Sequence, residues 1–178
     1  MGAGQEGGIL RAGRERVHSV LGKSTPNVRD VFIFESVLGK GSFGTTYLVT
    51  QRGNHEEYAC KSIPKLKLSS RHQLESARLE LAIQRHLSGH PNVVTLQGVY
   101  EDATELHIIL ELCSGGTIYD VLIKSGIFSE SLASKLMRQV ITSVAYCHHE
   151  GIIHRDIKVL PRCMKCCQNA ALPNAACS

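Results

Sequence analysis

Gly39-Lys40-Gly41-Ser42-Phe43-Gly44 sets three glycines at G-x-G-x-x-G spacing between two apolar runs. Backbone without side chains can approach phosphate oxygens closely, and its N–H groups can hold negative charge. Phe43 at the tip would shield such phosphates from water. Alone the spacing is a weak signal, because a plain glycine-rich hairpin would look the same. Tyr58-Ala59-Cys60-Lys61 tips the balance. In an extended run Lys61 shares a face with Ala59 and Ile63, and an isolated ammonium in an apolar setting is costly. It needs a negative partner, and the candidates are nucleotide phosphates and a helical glutamate. Glu80, nineteen residues on and beside the apolar stripe of a predicted helix, is the expected glutamate. Glu75 is the alternative, more than a turn earlier. Such a set binds and orients a polyphosphate.

These residues need a frame. Runs at 31–38, 45–50 and 57–63 are rich in β-branched and aromatic residues and read as strands, with a turn at Arg52-Gly53-Asn54. Residues 71–88 read as a helix capped by Ser70, with Leu74, Ala77, Leu81 and the region of Gln84 and Leu87 on one face. Gly89-His90-Pro91-Asn92 breaks it, and two more strands follow at 93–100 and 106–112. The expected fold class is α+β: a five-stranded antiparallel sheet plus one helix, then an incomplete helical part. In that part, 129–150 reads as a helix capped by Ser129 and stopped by Gly151, with Leu132, Leu136, Val140 and Val144 recurring every four residues.

A chain of 178 residues with 43% hydrophobic and 20% charged residues has the composition of a soluble globular domain. A net charge of +4, scattered and accompanied by few aromatics, argues against nucleic acid as a partner. No apolar run has the length of a membrane span or the character of a secretory signal, so a reducing, cytoplasmic location is expected. Residues 1–30 read as a flexible Gly/Arg-rich extension. Gly2 would be exposed after Met removal, but Glu6 stands where myristoylation prefers Ser or Thr, and no nearby cysteine could add a second lipid. Among the seven cysteines, Cys60, Cys113 and Cys147 sit in apolar-patterned segments, as small hydrophobes would.

His154-Arg155-Asp156-Ile157-Lys158 completes a larger pattern. With the glycine loop, Lys61 and this run, the chain resembles the serine/threonine protein kinases, whose signature set includes all three. Val20-Leu21-Gly22-Lys23, Gly44-Thr45-Thr46-Tyr47-Leu48, Leu87-Ser88-Gly89-His90-Pro91-Asn92 and Glu111-Leu112-Cys113 are similar to plant-type calcium-dependent protein kinases and their relatives. The resemblance covers about residues 20–158. It implies an N-lobe at 31–112, a hinge at 111–116 and a partial C-lobe at 117–158. It further implies ATP as the bound nucleotide, a protein as the phosphate acceptor, and Asp156 as the base accepting the hydroxyl proton, with Lys158 as the mark of Ser/Thr specificity. Glu111 C=O and Cys113 N–H would meet the adenine edge, Leu110 would guard the back of its pocket, and Leu38, Thr46 and Ala59 would roof it.

The pattern then departs from the family. Val159-Leu160-Pro161 stands where Pro-Glu-Asn belongs, and no Asp-Phe-Gly follows. The Mg²⁺ ligands of the family are therefore absent, no metal site is assigned, and phosphoryl transfer is expected to fail. Thr117 replaces a ribose-contacting Glu, and Gln84 replaces an apolar residue of the internal spine. No EF-hand loop occurs. Residues 159–178 form a Cys-rich non-kinase tail. Cys163, Cys166, Cys167 and Cys177 could supply four zinc ligands, but lacking a second CxxC or a His they read better as a disordered, oxidisable tail. Lys158-Val159 can be encoded by AAG-GTN, as in an unspliced donor site. Besides a deficient kinase, a non-catalytic decoy module and an aberrant product without a role are thus open readings. Exposed C-lobe surface is expected to promote self-association.

Overall fold

The computed structural model describes residues 19–114, 127 and 129–155. A short helical turn, α1 (Val28–Val31), leads into the strands β1 (Phe32–Lys40), β2 (Thr45–Gln51) and β3 (Glu57–Pro64). A 3₁₀ turn at Lys65–Leu68 precedes the helix α2 (Arg71–Leu87), and β4 (Leu96–Glu101) and β5 (Glu105–Glu111) follow. The last described element is α3 (Glu130–His149). The strands form one antiparallel sheet in the order β1-β2-β3-β5-β4. Five strands and the helix carrying Glu80 match the expected architecture.

The side-chain alternation of β3 divides the core between the two faces of the sheet. Ile63, Leu106 and Ile108 lie on one face and pack with Ala77 and Leu81 of α2. On the other, Cys60, Val49 and Ile109 pack with Phe32 and Val28. Phe32 there meets Tyr58 and Tyr100 edge-on, with ring centroids 5.9 and 5.7 Å apart. Such pairs add to area burial because ring edges and faces carry opposite partial charge.

α2 begins with a reciprocal cap. Ser70 Oγ accepts from Gln73 N, and Gln73 Oε1 accepts from Ser70 N, each at 3.1 Å. At its far end, Leu87 packs with Val93 and with Cys147 of α3. His90 stacks on Tyr146 at 4.6 Å, and His86 meets Glu150 at 2.6 Å. The loop after α2 thus docks on α3. On α3 the buried positions are Leu136, Ser143 and Cys147, whereas a strict four-residue repeat favoured Val144. At about 100° per residue that repeat drifts around the helix, and the contact follows the 3–4 spacing instead.

The reading of residues 1–30 as a flexible extension is corrected for 19–30, which are packed against the sheet and α2. Val20 is 1% and Val28 2% exposed. Glu101 holds the segment: its carboxylate accepts from Ser19 Oγ at 3.0 Å and from the N–H groups of Val20 and Leu21 at 2.9 Å each. Lys65 Nζ lies 2.7 Å from the same carboxylate, with only 7% and 5% of the two side chains exposed. Thr25 closes the turn, donating to Glu101 O at 3.1 Å and accepting from Glu101 N at 2.8 Å. The segment lacks periodicity because its hydrogen bonds go to other elements and not to a helix or sheet ladder.

Next to this node a polar chain runs inward from half-buried Asp102 to buried His107 and Ser62. His107 Nε2 donates to Asp102 Oδ2 at 3.0 Å, so in the neutral ring Nδ1 accepts from the Ser62 hydroxyl at 2.8 Å. Burial pushes the Asp102 carboxyl up, but hydrogen bonds from His107, Thr104 and Glu105 outweigh it and hold the group well below the usual range. Burial likewise raises Glu101, while Lys65, Leu21, Val20 and Ser19 bring it down by more. A depressed folded-state value contributes stability above the unfolded-state value, and that contribution is lost as pH falls toward the folded one. Urea unfolding should therefore show stability declining as pH drops below the ordinary carboxylate range. Glu101→Gln and Asp102→Asn should each flatten that acid limb. Asp102→Ala, which leaves buried His107 Nε2 without its acceptor, should cost about 1–3 kcal/mol at neutral pH.

Candidate functional site

β2, β3 and β5 bring the expected residues to one sheet face. Thr46 pairs across from Lys61, and Lys61 from Ile108. Leu48 pairs with Ala59, and Ala59 with Leu110. Residues directly opposite in an antiparallel pair project to the same side, so Thr46, Ala59, Lys61 and Leu110 share the face that also carries α2. Ala59 is buried and Leu110 half-buried.

Lys61 Nζ lies 3.1 Å from Glu80 Oε1, with 24% and 18% of the side chains exposed. Glu75 instead pairs with Arg71 at 2.9 Å on the open side of α2. The choice between the two glutamates is settled by helix phase. Glu80 sits between Ala77 and Leu81 on the turn that packs against the sheet, whereas Glu75 points off it. Gln84 Nε2, one turn further, donates to Val94 O at 2.6 Å. Where an apolar spine residue was expected, the chain uses a side-chain amide to fasten α2 to the segment entering β4.

The glycine loop joins β1 to β2. Gly41 N donates to Gly44 O at 2.8 Å, closing the turn. The three glycines do not share one reason. A Cβ on Gly44 would sit 2.0 Å from Ser62 O on β3, so Gly44 is required by contact with the protein's own backbone. At Gly41 the nearest atom to a Cβ is Gly44 O, at 3.9 Å, which leaves that side open to a ligand. Phe43 is 49% exposed at the tip. Lys40 and Ser42 are exposed, and Leu38 and Gly39 are half-buried at the end of β1. Lys67 Nζ donates to Ser42 O at 2.5 Å, a tether from the 3₁₀ turn that sequence pattern could not reveal.

Glu111 ends β5, with its N–H on Thr95 O at 3.0 Å and its Oε2 accepting from Thr95 N at 3.4 Å. Cys113, just past the end of β5, is half-buried. Cys60 is the small hydrophobe expected, and burial pushes its thiol up to about 11. The run toward the catalytic-loop pattern is described as far as Arg155. His154 is 6% exposed, and Arg155 takes a left-handed φ of 59°. A non-glycine residue there stores strain of a kind concentrated at functional loops. Asp156, Lys158, Pro161, Thr117, the end of the predicted hinge and the tail cysteines lie outside the described residues. No cluster of metal-binding side chains occurs among the described residues, and none of their helices is long and apolar enough to cross a membrane.

Residues 32–160 match the protein kinase domain. The chain belongs to the protein kinase family. It is similar to calcium-dependent protein kinase 4 of Solanum tuberosum, with 46% identity over 148 residues, 83% of this chain and 27% of that protein. Calcium-dependent protein kinase 13 of Oryza sativa subsp. japonica is 48% identical over 140 residues, 79% of this chain and 25% of that one. For calcium-dependent protein kinase 5 of Arabidopsis thaliana the identity is 45% over 143 residues, 80% and 26% of the two chains. The chain therefore spans about a quarter of the length of these relatives. The sheet and α2 form a kinase-like N-lobe, and α3 lies within the matched kinase domain.

The different duties of the glycines in this kinase loop are separable. Gly44→Ala should lower stability by about 1–3 kcal/mol, because backbone must move to relieve the contact with Ser62. Gly41→Ala should stay within about 0.5 kcal/mol. Chemical denaturation of the two variants checks the contrast.

Proposed function

We propose that this chain binds ATP or ADP in its N-lobe and is a serine/threonine protein kinase by descent, deficient in phosphoryl transfer as it stands. The Lys61–Glu80 ion pair carries the reading. At 3.1 Å it holds an ammonium on the same face as Ala59 and Leu110, in the lobe bearing the glycine loop. The residues present fit a nucleotide. Lys61 keeps a quarter of its side-chain surface exposed beyond Glu80, and the open side of Gly41 admits a phosphate. Lys61 would neutralise phosphate charge, and the loop N–H groups would cradle it. Leu38, Thr46 and Ala59 would wall the adenine, with Leu110 behind it and Glu111 C=O and Cys113 N–H at its edge. ATP would supply the transferable phosphoryl group, and Asp156 would take the proton of an acceptor Ser or Thr hydroxyl.

Deficiency follows from Pro161, which stands where the family places its metal-binding Asn and has no side-chain oxygen for a divalent cation. Neutralisation of phosphate charge is central to this chemistry, so its loss outweighs a correct N-lobe. Calorimetry should show weak ADP binding that changes little when Mg²⁺ is chelated. Lys61→Met should weaken that binding about tenfold, or about 1.4 kcal/mol. Equal affinity in the variant would remove the support for the site. Transfer from ATP to a Ser/Thr peptide, abolished by Asp156→Asn, would overturn the deficiency.

One observation favours a second, non-catalytic reading as a partner-binding module. Met137 and Ile141 of α3 are 54% and 61% exposed, four residues apart on one stripe. Self-association through this stripe should appear as concentration-dependent elution in size-exclusion chromatography, suppressed by the double change Met137→Gln and Ile141→Gln. Elution independent of concentration in the unaltered chain would exclude it.

A further inference from the structure

α2 must be held in place for Glu80 to reach Lys61, and its two ends are held differently. The C-terminal end is fastened by Gln84 to Val94 O and by His86 to Glu150. Among the described residues, only two side chains of residues 71–81 hydrogen-bond to another element. One is Glu80, on Lys61. The other is Arg78, two residues earlier, whose Nε donates to Val20 O at 2.6 Å and whose Nη2 donates to Ser19 O at 2.9 Å. The rest of that half rests on apolar contact through Leu74, Ala77 and Leu81.

Val20 completes that contact. It is 1% exposed and belongs to the cluster formed by Ala77 and Leu81 with Ile63, Leu106 and Ile108. Its own N–H is held by Glu101 Oε1 and its C=O by Arg78, so both polar groups of one peptide segment are spoken for by different elements. Gly22, at a φ of +66°, turns the chain after Leu21, and its N–H donates to Ser19 Oγ at 2.9 Å. Residues 19–25 are therefore bound on one side by the sheet through Glu101 and on the other by α2 through Arg78.

We propose that residues 19–25 are a positioning strap in which Val20, anchored by Glu101 and Arg78, sets the N-terminal half of α2 so that Glu80 meets Lys61. None of these three residues touches the ion pair. They act through the helix that carries half of it. With the C-terminal end of α2 fixed at Gln84, release of the strap would let the 71–81 half swing while the sheet stays folded. The strap would thereby couple the segment ahead of the kinase domain to phosphate binding inside it.

The test uses the full chain with Arg78→Ala, a surface change that removes both carbonyl contacts and leaves the core intact, and Val20→Asp as a second disruption. Arg71→Ala is the control, since Arg71 pairs only with Glu75 on the same helix. Amide hydrogen exchange should speed up about tenfold in peptides covering residues 71–82 for both strap variants, with β3 and β5 unchanged. Exchange in 71–82 equal to that of the control, or rising equally in β3 and β5, would overturn the proposal. ADP affinity adds a readout that a purely structural role would not move. Arg78→Ala should weaken binding about three- to tenfold, and should add nothing in a Glu80→Gln background. An undiminished affinity despite faster exchange, or an additive loss in the double variant, would overturn the link to the ion pair. This second readout rests on the nucleotide binding proposed above. If the unaltered chain binds no ADP, that reading fails while the exchange measurement still decides the strap.

Discussion

A carboxylate taken out of water must have its lone pairs met, and Glu101 is where this chain meets that demand. Its acceptor capacity is filled by one ammonium, two peptide N–H groups and one hydroxyl. None of these donors comes from its own strand. Lys65 brings the link between β3 and α2, and Ser19, Val20 and Leu21 bring the segment ahead of the sheet. Because a buried charge left unpaired is so unfavourable, these pieces are held together as a set. The sheet edge at β4, the start of the helical link and the incoming chain therefore share one electrostatic anchor. The neighbouring Asp102–His107–Ser62 chain extends the same polar layer through the opposite face of the sheet.

Two kinds of constraint meet on the sheet face that carries Lys61. The alternation of β3 puts Lys61 and Cys60 on opposite faces, so a charged residue and a high-pKa, inert thiol can be adjacent in sequence without competing. Helix phase does the same for α2, turning Glu80 inward and Glu75 outward. The glycine loop is then seated by contacts within the lobe: Gly44 lies against Ser62, and Lys67 holds the carbonyl of Ser42. Gly44, at least, serves the approach of the loop to β3.

Periodicity made the sheet, both long helices and the Lys61–Glu80 pair legible, because each depends on side chains repeating at intervals of two or about 3.6 residues. Ser70 was readable as a cap since its hydroxyl acts within the next turn. Residues 19–30 were not. Ser, Gly, Lys, Thr and Pro there suggest a loose lead, and their order comes from partners about eighty positions away. Nothing local distinguishes Glu101 from any other acidic residue at a strand end. Arg78 was equally silent, since it serves backbone carbonyls and no complementary charge. Ser143 on α3 was missed for a related reason: its hydroxyl bonds back to Gln139 O at 2.8 Å, which lets a polar residue occupy a buried position.

The family pattern begins at Phe32, yet the packed unit begins at least as early as Ser19. A conserved-domain boundary marks where residue identities become recognisable, and says little about where the chain becomes mechanically dispensable. Trimmed to residues 32–160, the chain would still match the family pattern while losing the plug from one hydrophobic layer and three donors from its buried carboxylate. It would be recognisable by its residues and behave as a damaged protein.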